Sequence, residues 1–183
     1  MINAKELRNK TALSNIPNKQ PGYYKWWGRE SELITILDAL DVELSDVVSY
    51  IEQKDDLYCI YIGIAAKESI RKRIDWHVND SHTPSRVLNG TLSTLRQSIS
   101  SIVSQNQLDK DATNEFIDKL KIEWFAIDNE IKSPEAIEKL HAIERDFMAK
   151  HLYVLNIQDN KFPQAQSIKK RLSILRKTSK KSR

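Results

Sequence analysis

The stretch that decides the fold is LYCIYIGIAAKESIRKRIDWH, residues 57–77. It opens on an unbroken apolar run, residues 57–62, dense in β-branched and aromatic side chains, as expected of a strand buried on both faces. Gly63 closes the run and a short polar link follows. Near Ser69 the pattern changes to helical spacing, with Ile70, Ile74 and Val78 four apart on one face. Arg73 and His77 lie along the edge of that apolar stripe. A strand carrying Tyr61 therefore leads into a helix that offers a cation and an imidazole. A phenol, a guanidinium and a titratable base in this order suit the chemistry of a phosphate ester.

Outward from this stretch, the chain reads as one domain. Its 183 residues, 40% hydrophobic and 30% charged, are ordinary for a soluble domain with a substantial core. No apolar run reaches membrane-spanning length and the N-terminus has no signal-peptide core, so no membrane partner is expected. The single cysteine, Cys59, falls inside the apolar strand and reads as a core thiol, consistent with a cytoplasmic, reducing location. Charge is unevenly placed. Of 29 Lys and Arg residues, nine lie in residues 161–183 with no acid among them, leaving 20 against all 25 Asp and Glu elsewhere. Such a basic segment suits a polyanion.

Residues 1–20 read as a polar extension with a short helix over 4–14. Residues 23–27, rich in aromatics, form the first strand. Two helices follow, over 30–40 and 44–53, in an acidic segment that separates the first strand from the second. Residues 79–90 read as a loop, residues 91–103 as a helix, 114–120 as a short helix, and the alternation of Ile122, Trp124 and Ala126 as a third strand over 121–128. Ser133 and Pro134 open a long helix that runs to about residue 151. On that helix Ile137, Leu140, Phe147 and Met148 share one side, with Glu144 in their midst. A carboxylate there needs a cationic partner or a metal ion, because burying it alone costs several kcal/mol. His141 and Glu144 also have the spacing of a transition-metal pair, but no Cys/His cluster completes such a site. A short extended piece spans 153–157. Residues 164–178 form a basic amphipathic helix with Ile168, Leu172 and Leu175 on one stripe, and the last five residues read as disordered.

The motif in residues 61–77 resembles the GIY-YIG nuclease family. Tyr61, Ile62 and Gly63 stand as its second half, Arg73 follows ten residues after Gly63, and His77 four after that. Gly22, Tyr23 and Tyr24 are similar to the first half, with Tyr24 in the place of its tyrosine. Glu144 and Asn156 match the family's metal-binding glutamate and its late asparagine in type and order. The resemblance covers about residues 20–160. It implies an α+β fold: a small, mainly antiparallel three-stranded sheet flanked by helices, here with a helical insertion over 29–54 and a basic C-terminal helix over 161–183. The two tyrosines are 37 residues apart, more than in minimal members, so the insertion must leave the two strands paired. Restriction-type members carry insertions at this point. Ile64, directly after the motif, stands where many members have a polar or basic residue.

What the resemblance implies is a metal-dependent DNA endonuclease, small and of the restriction or defence type. Tyr24, Tyr61, Arg73, His77, Glu144 and Asn156 form its expected catalytic set, and Glu144 its ligand to Mg²⁺ or Mn²⁺. Either tyrosine could be the base. Lys67, Arg86, Arg96, Lys169, Lys170 and Arg171 are the expected contacts to DNA, although the residues before Arg96 read equally well as plain helix capping. A homodimer would suit palindromic cutting. The alternatives are a catalytically decayed DNA-binding module, a structure-specific repair nuclease, and a partner-binding protein with a basic tail.

Overall fold

The computed structural model describes residues 1–156, 160 and 162–180. In chain order its elements are β1 (Ile2–Asn3), α1 (Lys10–Ser14), β2 (Gly22–Gly28), α2 (Glu30–Ala39), α3 (Leu44–Val47), β3 (Gln53–Lys54) and β4 (Leu57–Ala65). There follow α4 (Ile70–Asn79), α5 (Pro84–Leu88), α6 (Thr94–Val103), α7 (Lys110–Lys119), β5 (Lys121–Ala126), α8 (Pro134–Lys150) and α9 (Pro163–Thr178). The strands form one sheet in the order β1-β5-β2-β4-β3, with every pairing antiparallel.

The sheet has five strands where the sequence pointed to three. Both additions are two-residue strands at the edges, β1 against β5 and β3 against β4. They are too short to show any periodicity, so hydrophobic patterning could not reveal them. The helical insertion does leave the motif strands paired: β2 and β4 are neighbours, with Tyr24 opposite Gly63 and Trp26 opposite Tyr61. A register shift follows between Trp26 and Trp27. Alternation along the strands puts Tyr24, Trp26, Tyr61 and Gly63 on one face.

That face meets the main core, built with Ile70, Ile74 and Val78 of α4, Leu33, Ile36 and Leu37 of α2, and Leu95 and Ile99 of α6. On the other face Trp27, Cys59 and Ile62 pack under Met148 of α8 and Tyr153. The N-terminal residues are no loose extension, since Ala4, Leu7 and Ile16 are fully buried in the main core. Nor is the C-terminal helix a free tail, since Ala165, Ile168 and Leu172 of α9 join the same core. Ser179, within the segment read as disordered, is buried at the end of α9 and donates its backbone N–H to the Leu175 carbonyl. Residues 181–183, and Ile157 at the end of the expected extended piece, lie outside the described residues. The loop expected over 79–90 contains α5, capped by Thr83 with Pro84 in its first turn.

Candidate active site

The start of α4 is fixed from both sides. Ser69 caps it, accepting from the Lys72 N–H at 3.2 Å, and the Ile70 N–H donates to the Gln20 carbonyl at 3.0 Å. Arg71 donates to the carbonyls of Ile16 and Ser14, each at 2.6 Å. The helix is thus pinned to the segment leading into β2. Two glycines set the depth of the contact. A Cβ at Gly22 would lie 2.8 Å from Ile70 Cδ1 and collide with the Phe125 carbonyl, so α4 and β5 close over β2 only because that position is bare. A Cβ at Gly63 would fall on the Tyr24 phenol.

Across that bare position the Tyr24 hydroxyl meets His77 Nε2 at 2.6 Å, and both side chains are buried. The Tyr61 ring packs on both, with centroids 6.4 Å from Tyr24 and 6.0 Å from His77. Burial, with the nearby charges of Arg73 and Arg96, holds the His77 pKa down at about 3, so the imidazole is neutral at physiological pH. His77 Nδ1 is buried with no hydrogen-bond partner. An orphaned acceptor there costs less than an orphaned N–H, which favours the proton on Nε2 and a bond donated from His77 to the Tyr24 oxygen. Burial raises both phenols. Tyr61 is pushed up to about 12, with Glu144 adding to the rise and Arg73 opposing it. Tyr24 is held well above the ordinary value by burial and by Tyr61, again against Arg73. The two hydroxyls also act on each other directly: Tyr24 lowers Tyr61, and Tyr61 raises Tyr24.

Arg73 reaches this cluster from one turn before His77. Its Nε lies 2.8 Å from Glu68 Oε1, an ion pair without the alignment of a hydrogen bond, and its guanidinium sits 5.0 Å from the Trp76 ring. Glu68 and Trp76 were not singled out in the sequence. The only available signal was the Arg73–Trp76 spacing of three on one helix. Glu144 comes from α8, one turn from the buried Leu140 and Met148, and its charge is felt at both phenols. Its side chain is 18% exposed and Oε2 lies 3.6 Å from His141 Nδ1. Among the described residues no group of three or more His, Cys, Asp or Glu side chains could hold a metal ion. A part-exposed carboxylate whose charge reaches both phenols suits a hard cation that keeps most of its waters and takes phosphate oxygens better than it suits a nitrogen–sulfur metal.

Asn156 is placed beside the cluster with its amide engaged. Its Oδ1 accepts from the Ile62 N–H at 3.0 Å and its Nδ2 donates to the Ile62 carbonyl at 2.8 Å. It completes the edge of β4 next to Tyr61 as a strand would.

The expected DNA contacts divide. Arg96 is 1% exposed, and its guanidinium donates to the carbonyls of His77 and Val78 and to Asn114 Oδ1. It closes the end of α4 and is withdrawn from the set of backbone contacts. Burial, together with Arg8, lowers its pKa to about 10. Arg86 pairs with Asp80 and donates to the Thr91 carbonyl at 2.9 Å, with part of its side chain exposed. Arg171 donates to the Leu40 carbonyl at 2.6 Å and pairs with Asp41 at 2.6 Å, closing the end of α2. Lys67 and Lys170 are exposed and Lys169 is half-buried. On the other face, Lys25 Nζ lies 2.6 Å from Glu52 Oε1, and the Tyr153 hydroxyl donates to Glu52 Oε2 at 2.8 Å.

A family model described as the GIY-YIG catalytic domain matches residues 22–178. No curated protein and no solved structure matches the chain.

Proposed function

The chain belongs to the GIY-YIG family and is an endonuclease, a phosphodiester hydrolase; from that premise we propose a divalent-metal-dependent DNA endonuclease with Glu144 as the metal ligand. The observation that carries this reading is the buried cluster in which the Tyr24 hydroxyl lies 2.6 Å from His77 Nε2 with the Tyr61 ring packed on both, on which the charges of Arg73 and Glu144 act. When bound, a hard divalent cation polarises the phosphate and steadies the leaving oxygen. The remaining work falls to the chain's own side chains. Tyr61 orients the attacking water: its phenol, whose ionised form Arg73 favours, first releases its own proton to solvent and then, as the phenolate, takes the water's proton at the Tyr61 oxygen. The Tyr24 hydroxyl donates to that oxygen, and His77 Nε2–H donates to Tyr24, so the relay favours charge on Tyr61. Arg73 faces the negative charge that builds on the phosphate oxygens. Asn156 holds Ile62, and through it the Tyr61 backbone, in register.

The helical segment between the motif strands supports a restriction or defence role, with the exposed Lys67 and Lys170 at the DNA contacts. The test is cleavage of supercoiled plasmid with Mg²⁺ or Mn²⁺ against the chelated control. Glu144→Ala is expected to lose at least about 100-fold in rate, and full activity in that variant refutes the metal role. Sequencing the cut ends then separates the subtypes: one recurring short sequence supports restriction, whereas scattered ends or cuts at DNA junctions overturn it.

A further inference from the structure

A groove of about 650 Å³ runs along α4, with Lys72, Arg73, Trp76, Asn79 and Ser81 in its lining. The proton relay described above uses none of it beyond Arg73. Its charges cancel locally. Glu68 sits 2.8 Å from Arg73, Asp80 pairs with Arg86, and Asp75 accepts from the Asn79 amide at 2.8 Å. A second phosphate placed here would meet as many carboxylates as cations. What the groove does offer is a part-exposed indole next to an exposed amide and an exposed hydroxyl, from Asn79 and Ser81. These are partners for an uncharged, flat, hydrogen-bonding group.

We infer that this groove is a nucleobase subsite: it receives a base of the DNA strand adjoining the scissile phosphate. The base packs on the exposed part of the Trp76 indole, whose ring already meets Arg73 at 5.0 Å and His77 at 6.0 Å, and its polar edge meets Ser81 and the Oδ1 of Asn79, whose Nδ2 is held by Asp75 and the Leu7 carbonyl. The inference rests on the reading of Arg73 as the residue that faces the reacting phosphate. Because the Arg73 guanidinium lies 5.0 Å from the Trp76 ring, a phosphate on the arginine brings its neighbouring base to the indole. The volume lies in the range of sites that enclose small organic ligands. Base–aromatic stacking tolerates any base, so this subsite adds affinity and register without adding sequence preference.

Tryptophan fluorescence tests it in a Trp124→Phe background, since Trp26 and Trp27 are buried and Trp124 is the other part-exposed tryptophan besides Trp76. The Glu144→Ala protein is titrated with a short mixed-sequence DNA duplex. Quenching is expected, and it should be lost when Trp76→Phe is added while affinity holds, because phenylalanine still stacks. Trp76→Ala in place of Trp76→Phe should raise Kd by about 5- to 100-fold. Unchanged affinity in Trp76→Ala, quenching that survives Trp76→Phe, or no DNA binding at all overturns the subsite. Should Trp76→Ala fail to fold, the Trp76→Phe quenching arm decides alone. The nuclease reading fails separately: it falls if the wild-type protein cleaves nothing, and it stands if cleavage proceeds with Trp76 uninvolved.

Discussion

The phenol of Tyr24 occupies the volume that any side chain at residue 63 would need: a Cβ built on Gly63 lies 2.5 Å from Tyr24 Cζ and closer still to its hydroxyl. The two residues face each other in the β2–β4 register, so neither strand can yield without breaking the pairing. Gly63→Ala must therefore push Tyr24 away from His77. We expect a stability loss of about 1–3 kcal/mol, the ordinary cost of overpacking, together with a fall in plasmid cleavage of at least about 100-fold, since a displacement of about 1 Å at a reacting centre costs that much. Thermal melting and a cleavage time course measure the two. A stable, fully active Gly63→Ala protein would show that Tyr24 need not cross at this point.

His77 gives the protein an acid sensitivity of known sign. Burial and the two arginines hold its folded pKa at about 3, against the ordinary imidazole value of 6.5. Between those limits the unfolded chain takes up a proton that the folded chain refuses. Its contribution to stability is complete above about 6.5 and is lost as pH falls toward 3. His77→Gln removes this dependence while keeping a polar partner for Tyr24. Urea unfolding at about pH 7 and about pH 5 should show the wild type losing about 2 kcal/mol more than the variant. Equal losses in both would mean that the imidazole is already protonated in the fold.

Lys25 is 5% exposed, lies 2.6 Å from Glu52 Oε1, and stands over the Phe147 ring at 3.7 Å. Tyr153 binds the same carboxylate, and burial drives its own pKa well up. This network ties the end of the helical insertion to β2 and to the segment after α8. Glu52→Ala strands the ammonium and should cost about 3–5 kcal/mol. Replacing both partners by apolar residues of similar size should recover most of that loss, since two desolvated charges gain little over good packing. Denaturant midpoints for the single and double variants decide it. A double variant no more stable than Glu52→Ala would show that the charges themselves hold the insertion.

Much of this arrangement was legible in the chain. Tyr61, Arg73 and His77 announce themselves because the pattern switches from strand to helix within a few residues, which fixes where each side chain points. The helical insertion was legible too, since only a paired β2 and β4 bring Tyr24 to Tyr61. Other features left no signal. β1 and β3 are stabilised by neighbours distant in sequence, not by their own two residues. The Thr83–Pro84 pair reads as loop punctuation and as a helix start with equal ease, and it proved to be the latter. Cationic side chains are the hardest to read, because Arg96, Arg171 and Lys170 look alike until their neighbours are known. Two of them satisfy helix-end carbonyls and one meets solvent.

Arg96 tests that distinction. Its Nε donates to the His77 carbonyl at 3.1 Å and its Nη2 to the Val78 carbonyl at 2.9 Å, near the end of the helix that carries His77. The same Nη2 reaches Asn114 Oδ1 at 2.8 Å, and Nη1 lies 3.2 Å from His82 Nδ1. Arg96→Ala leaves buried acceptors without donors and should cost about 3 kcal/mol or more. Arg96→Lys should rescue little, because one ammonium cannot span acceptors that a planar fork bridges. Lys170→Ala, at an exposed position, should leave the melting temperature alone and lower the slope of log Kd against log salt by about 1 if that lysine meets a phosphate. For Arg96 the expected pattern is the reverse: a lowered melting temperature, with the salt slope of the folded protein unchanged. A normal melting temperature with a reduced slope would return Arg96 to the DNA surface, and α4 would then need another residue to close its end.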